Sequence, residues 1–198
     1  MRVIGGEFRS RRLKSLPGLN TRPTPDRLRE TLFNVLAASI PGSVFMDVYA
    51  GTGAVAIEAL SRGARRAILI ENNRAAAEVI RENLVALGLE RRAEVLTGKA
   101  AKVLERARAD IAFLDPPYEL VKEYETSMTA LARTEVEFVI AQHSSRLTPQ
   151  EAYGDLKRYR AIKQGDNSLS FYRRISTSST QPLNTEKTKA EITPPATQ

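Results

Sequence analysis

Asp110-Ile111-Ala112-Phe113-Leu114-Asp115-Pro116-Pro117-Tyr118 is the stretch on which the reading of this 198-residue chain turns. Its apolar run has the length and continuity of a strand buried on both faces, and proline cannot extend a central strand because it lacks the ladder N–H. The strand therefore ends at Asp115. The prolines then form a stiff loop at the carboxyl edge of a sheet, where open α/β folds bind ligands. A planar base with an exocyclic amino group would suit that loop. The Asp115 carboxylate and the Pro116 carbonyl can accept its two N–H bonds, Pro116 and Pro117 hold the acceptors still, and Tyr118 offers a stacking face. An ordinary strand followed by a proline turn would read the same way, so the choice rests on the rest of the chain.

Working outward, strands and helices alternate strictly. Val44 to Tyr49 is a first strand, 67–70 a second ending in Glu71, 94–97 a third, 110–115 the fourth and 137–142 the fifth. Helices are expected over 54–62 with a stop at Gly63, 74–87 with a stop at Gly88, 100–106 and 121–132. Such alternation means a mainly parallel, doubly wound α/β sheet. The last two strands, 159–163 and 169–173, flank Gly165-Asp166-Asn167-Ser168, a hairpin signal, which gives a seven-stranded sheet with an antiparallel C-terminal hairpin.

Before this sheet lies a basic segment. Residues 1–30 carry eight basic against three acidic residues, a net +5 within a chain of formal net charge +7. The expected organisation is a basic N-terminal hairpin or arm over 1–20, an α/β domain over 21–175, and a tail over 176–198 too poor in apolar residues to fold. Thr21-Arg22-Pro23-Thr24-Pro25 reads as a rigid approach to a helix over 25 to about 39, with Thr24 as N-cap. Arginine predominates in the arm, which suits bidentate phosphate contacts and points to a polyanionic partner.

Composition narrows the chemistry. The chain has no cysteine and one histidine, His143. Disulfides, thiol nucleophiles and zinc–thiolate sites are thereby excluded, and no metal site is expected. With no apolar run near the length of about 18 residues that a membrane span requires, and no signal-peptide pattern at Met1, a cytoplasmic protein is expected.

Gly51-Thr52-Gly53-Ala54-Val55-Ala56 follows the first strand as G-x-G-x-x-[G/A], and Glu71 lies twenty residues beyond Gly51. This is the spacing of a nucleotide-binding turn with a ribose-binding carboxylate. NAD-type dinucleotides and S-adenosylmethionine both use that geometry. Asp47, four residues before Gly51, favours the second, because a carboxylate attracts a cationic aminoacyl sulfonium and repels a pyrophosphate. With His143 falling after the fifth strand, no histidine is placed to serve a dehydrogenase.

Four motifs in order, MRVIGG…RPTPDRLRETLFNVL, DVYAGTG, IEN at 70–72 and FLDPPY, together resemble the bacterial 16S ribosomal RNA guanine-N2 methyltransferases over about residues 1–175. The resemblance implies a class I, Rossmann-like methyltransferase fold and S-adenosyl-L-methionine as cofactor, held by Asp47, Ala50, Gly51, Thr52, Gly53, Glu71 and Asn72. It implies that Asp115, Pro116, Pro117 and Tyr118 receive the guanine amine. It also implies RNA contacts from Arg22, Pro23 and Thr24, to which the charge of the arm adds Arg9, Arg11 and Arg12. The partner it implies is 16S ribosomal RNA within the small subunit or its precursor, met by a monomer. Two departures stand out: Tyr49-Ala50-Gly51-Thr52-Gly53 where the family often reads FAGSG, and Gln142 where it often has glutamate. An adenine or glutamine-amide methyltransferase, a nicotinamide oxidoreductase and a non-enzymatic RNA-binding module are the competing expectations.

Overall fold

The computed structural model describes residues 1–15, 26–104, 107–117 and 120–175. Its centre is a single sheet. Strands β1 (Val44–Asp47), β2 (Arg66–Glu71), β3 (Ala93–Thr97), β4 (Ile111–Leu114), β5 (Phe138–Ser144), β6 (Ala152–Tyr153), β7 (Leu156–Gln164) and β8 (Asn167–Arg174) lie in the order β3-β2-β1-β4-β5-β8-β7-β6. The first five run parallel, and β8 returns antiparallel against β5. Parallel strands need crossovers, and helices supply them: α2 (Ala54–Ser61), α3 (Arg74–Leu87), α4 (Ala100–Leu104) and α5 (Val121–Ala132), with α1 (Asp26–Val35) preceding β1. Two buried apolar clusters result. One, on the side of α1, α2 and α3, holds Leu28, Leu32, Phe33, Val55, Ile57, Ile80 and Phe171; the other, on the side of α4 and α5, holds Leu104, Met128, Leu131 and Tyr172.

The expected fold stands, with local corrections. The sheet has eight strands, because the two-residue β6 pairs with the start of β7. The hairpin turn is only Gly165-Asp166. Asn167 and Ser168 already belong to β8 and are buried, since β8 must run far enough to pair Asn167 with Ser144. His143, expected beyond β5, lies within it for the same reason, while Gln142 lies within the strand as expected. Helix α1 ends at Val35, short of the expected 39, where turns through Ser39 and Ile40 lead into β1. Thr24, Pro25 and the 176–198 tail lie outside the described residues.

The arm is fixed to the body by polar groups, not apolar ones alone. Arg2 and Arg12 form an isolated antiparallel bridge, and Val3 and Leu13 are buried in the cluster beneath. Glu58 of α2 is fully buried, and its carboxylate accepts from the Ile4 N–H (2.7 Å), the Gly5 N–H (2.8 Å) and Arg62 Nε (2.8 Å). Gly6, at φ +77°, passes so close to α2 that a Cβ there would sit 2.0 Å from the Ser61 carbonyl oxygen, so only glycine fits. Arg29 completes the attachment. Although it counts among the basic residues of the first thirty, it is buried, and its Nη2 donates to the Arg2 carbonyl (2.9 Å) and to Asp26 (2.7 Å). Its charge is therefore spent on structure.

Candidate active site

Strand order reverses between β1 and β4, and the crevice at the carboxyl ends of these two strands is where ligands bind in open α/β sheets. Asp47 closes β1 there and Asp115 follows β4, while Glu71 closes the neighbouring β2. The structure thus gathers three carboxylates that lie far apart in sequence. Asp47 is buried, and its pKa is pushed up to about 8, first by burial, then by repulsion from Asp115 and, less, from Glu71. Backbone N–H groups of Tyr49 and Ala56 oppose the shift without cancelling it. Its Oδ1 has no hydrogen-bond partner.

The glycine turn runs between these acids. The Ala50 N–H donates to the Ile70 carbonyl (2.9 Å) and the Gly53 N–H to the Ala50 carbonyl (2.7 Å), which folds the loop back onto β2. Gly53, at φ +79°, opens α2; a Cβ on it would press Leu69 at 3.1 Å and Ile80 at 3.3 Å, so this glycine serves strand–helix packing. Over Gly51 the space is open, which suits close approach of a ligand. Glu71 joins the parts: one oxygen accepts from the Gly51 N–H and the other from the Asn73 N–H, each at 2.8 Å. Asn72 is exposed beside it, and Asn73 caps α3 by accepting from Ala75 and Ala76. Thr52 is half-buried.

These residues fit S-adenosylmethionine better than a dinucleotide. A buried carboxylate with an orphan oxygen, crowded by two others, is relieved by a cation and worsened by a pyrophosphate. Asp47, the open space over Gly51 and the Glu71 oxygens are the groups that would hold it.

At the end of β4, Asp115 is half-buried, Pro116 buried and Pro117 exposed. Tyr118 lies outside the described residues, as do Arg22, Pro23 and Thr24. Sequence reasoning missed a second tyrosine. Tyr124 of α5 is buried and donates to the Gln142 carbonyl (2.7 Å), with the Pro116 carbonyl at 3.4 Å, so it ties the proline loop to the end of β5. His143 meets its ring edge-on at 6.5 Å. The imidazole donates from Nδ1 to the Ser144 carbonyl, Nε2 faces Ser170 Oγ, and burial pushes its pKa down, so it is a neutral structural group. Tyr49, next after Val48, bonds Glu123 (3.0 Å) and Ser127 (2.8 Å) of α5. A helix tyrosine such as Tyr124 reads from sequence as core, and no spacing signal marks it otherwise.

Asn83 is a further group that sequence did not reveal. Buried on α3, it accepts from the Lys14 N–H (2.7 Å) and donates to the carbonyls of Lys14 (3.1 Å) and Thr52 (3.2 Å). The arm and the glycine turn therefore share one side chain. Arg9, Arg11 and Arg12 are exposed on that arm.

A doubly wound sheet whose switch point joins an acidic strand end, a glycine turn and a proline-rigidified carboxylate defines a class I methyltransferase, a class whose methyl donor is S-adenosylmethionine. More particularly, the chain belongs to the family described as Conserved hypothetical protein 95, whose pattern matches residues 1–173. It is 32% identical to the "Putative rRNA methyltransferase YlbH" of Bacillus subtilis (strain 168) over 188 residues, 88% of this chain and 99% of that protein. It is 42% identical to "Ribosomal RNA small subunit methyltransferase D" of Escherichia coli (strain K12) over 120 residues, a match spanning 60% of each chain. Among solved structures, the "Putative methyltransferase yhhF from Escherichia coli" superimposes with a TM-score of 0.76 at 33% identity, covering 88% of this chain and 97% of that one. The resemblance drawn from the four motifs therefore holds. Among the described residues no helix is long and apolar enough to cross a membrane.

Proposed function

We propose that this protein methylates ribosomal RNA, and that its target is the exocyclic N2 amine of a guanine in the 16S RNA of the small subunit or its precursor. The names of its relatives support ribosomal RNA as the substrate. The guanine amine is supported by the chemistry of the proline loop. The observation that carries the reading is the meeting of Asp47, Glu71 and Asp115 at one switch point, which combines a site for a cationic cofactor with a fixed acceptor for an amine.

When bound, S-adenosylmethionine would supply an electrophilic methyl group, its carbon–sulfur bond breaking to leave a neutral thioether. The guanine amine is a poor nucleophile because its lone pair is delocalised into the ring. Asp115 and the Pro116 carbonyl, by accepting its two hydrogens, favour a pyramidal nitrogen and aim the lone pair. Tyr124 and the two prolines hold those acceptors in place. The amine proton leaves to Asp115 or to solvent as the new N–C bond completes. Asp47 and Glu71 hold the cofactor, with Ala50, Gly51, Thr52, Gly53 and Asn72 lining the turn beside it, and Tyr118 stacks on the base. Arg9, Arg11 and Arg12, with Arg22, Pro23 and Thr24, contact RNA. The protein acts as a monomer in the cytoplasm.

The test is transfer of a labelled methyl group to small ribosomal subunits and to their protein-free RNA, followed by nucleoside analysis. N2-methylguanosine is the expected product. Label in N6-methyladenosine or in protein would refute the reading.

A further inference from the structure

The C-terminal hairpin carries a feature that the proposed active site does not use. Strand β7, Leu156-Lys157-Arg158-Tyr159-Arg160-Ala161-Ile162-Lys163-Gln164, holds four basic residues and no acidic one. Strand β6 pairs only with Leu156 and Lys157, so beyond them β7 has no outer neighbour in the sheet among the described residues. A bulge falls between Arg158 and Arg160 and takes Tyr159 out of the ladder. Bulges re-aim side chains, and this one leaves Tyr159 51% exposed, its ring tilted against Phe171 at 6.2 Å. Phe171 belongs to the cluster beneath α1, which places Tyr159 on the side of the sheet that also carries the arm. Lys157 and Arg160 share that side, because they pair with Arg173 and Phe171 respectively.

Not every charge there is free. Arg158 pairs with Glu151, Arg173 with Glu137 and Arg174 with Asp155. Lys157, Arg160 and Lys163 are exposed and form no ion pair among the described residues; the acids nearest in sequence are Asp155, which pairs with Arg174, and Asp166 in the turn. That turn stands at the carboxyl edge of the parallel strands, since Asn167 pairs with Ser144 at the end of β5. Tyr159 lies six residues back along the strand, roughly 20 Å from the edge at the usual rise per residue. That is too far for the target base, and on the same molecule.

We infer that the β7 face made by Lys157, Tyr159 and Arg160 is a second RNA docking surface, which takes an unpaired base and its phosphates outside the target nucleotide. This rests on the reading of the protein as an RNA methyltransferase. Two cations with no counterion among the described residues complement a phosphate backbone, and an exposed ring between them offers the stacking platform by which single-stranded RNA is held. Protection of an open edge strand by charge explains the lysines and arginines equally well, but it does not explain an exposed aromatic ring at the bulge.

The experiment uses full-length protein, a 16S RNA transcript free of protein, and binding measured across a salt series. In the Lys157→Gln/Arg160→Gln double variant, affinity falls and the slope of log affinity against log salt drops by roughly 1.4 to 1.8, two phosphate contacts' worth. Tyr159→Ala loses roughly tenfold in affinity, and Tyr159→Phe restores it because the stacking face remains. Cofactor affinity and the urea midpoint stay at wild-type values in all three. Unchanged RNA affinity and slope, or an aggregating variant whose folded fraction binds RNA normally, would overturn the inference. A loss seen on assembled subunits but not on bare RNA would overturn it too, in favour of a protein contact. Methyl transfer by the wild type is read in parallel, so that absence of N2-methylguanosine counts against the proposed reaction while the binding series decides the surface by itself.

Discussion

Replacing Asp47 by asparagine isolates a charge that the fold tolerates at a cost. In the folded protein this carboxyl titrates at about 8, against an ordinary 3.8, chiefly because it is buried and faces Asp115. A raised carboxyl pKa means that the native state holds the proton more tightly than the unfolded chain. Its contribution to stability is complete below the unfolded pKa of 3.8 and is lost as pH rises toward 8. At about 1.4 kcal/mol per unit, the loss between about pH 5 and about pH 8 is on the order of 3 to 4 kcal/mol. Asparagine keeps the shape and has no charge to bury. Urea unfolding of the cofactor-free protein should therefore show Asp47→Asn gaining on wild type as pH rises across that window. Cofactor binding should move the other way: wild type releases a proton on binding below pH 8, as the cationic ligand draws Asp47 into its ionised form, and the variant neither releases it nor binds as tightly. Stability curves that run parallel from pH 5 to pH 8 would refute the argument, since they would mean that Asp47 titrates normally or is relieved by a group other than the ligand.

Three further outcomes follow from the geometry. Asp115→Ala should keep cofactor affinity within a few-fold and abolish methyl transfer, and wild-type turnover in that variant would remove Asp115 from the reaction. Glu71→Ala removes the acceptor of the Gly51 and Asn73 amides as well as the proposed ligand to the cofactor; each charged hydrogen bond is worth about 1.5 to 3 kcal/mol, so calorimetry should show affinity down at least tenfold, and an unchanged affinity in a folded protein would exclude the role. Glu58→Ala leaves the Ile4 and Gly5 amides and Arg62 without their buried acceptor and should cost about 3 to 5 kcal/mol, with the arm cut first in limited proteolysis; an arm as resistant as wild type would show that Val3 and Leu13 hold it alone.

The sequence alone determined the alternation of strand and helix, the strand end at Asp115, the glycine turn and the net charge of the arm, because each depends on residues adjacent in the chain. Apolar periodicity sets the elements, proline ends a strand wherever it falls, and glycine spacing marks a turn. Only the tertiary structure decided which distant groups meet. The coupling of Asp47 to Asp115 arises because β1 and β4 are neighbours in space, although 68 residues separate the two acids. Glu58, Asn83 and Tyr124 read as ordinary helix residues until the arm, the glycine turn and the proline loop are laid against them. Arg29 reads as surface charge until the Arg2 carbonyl of the arm is laid against it. Each of these depends on long-range packing that buries a polar group and obliges it to find a partner, and a pattern along the chain carries no record of which partner that is.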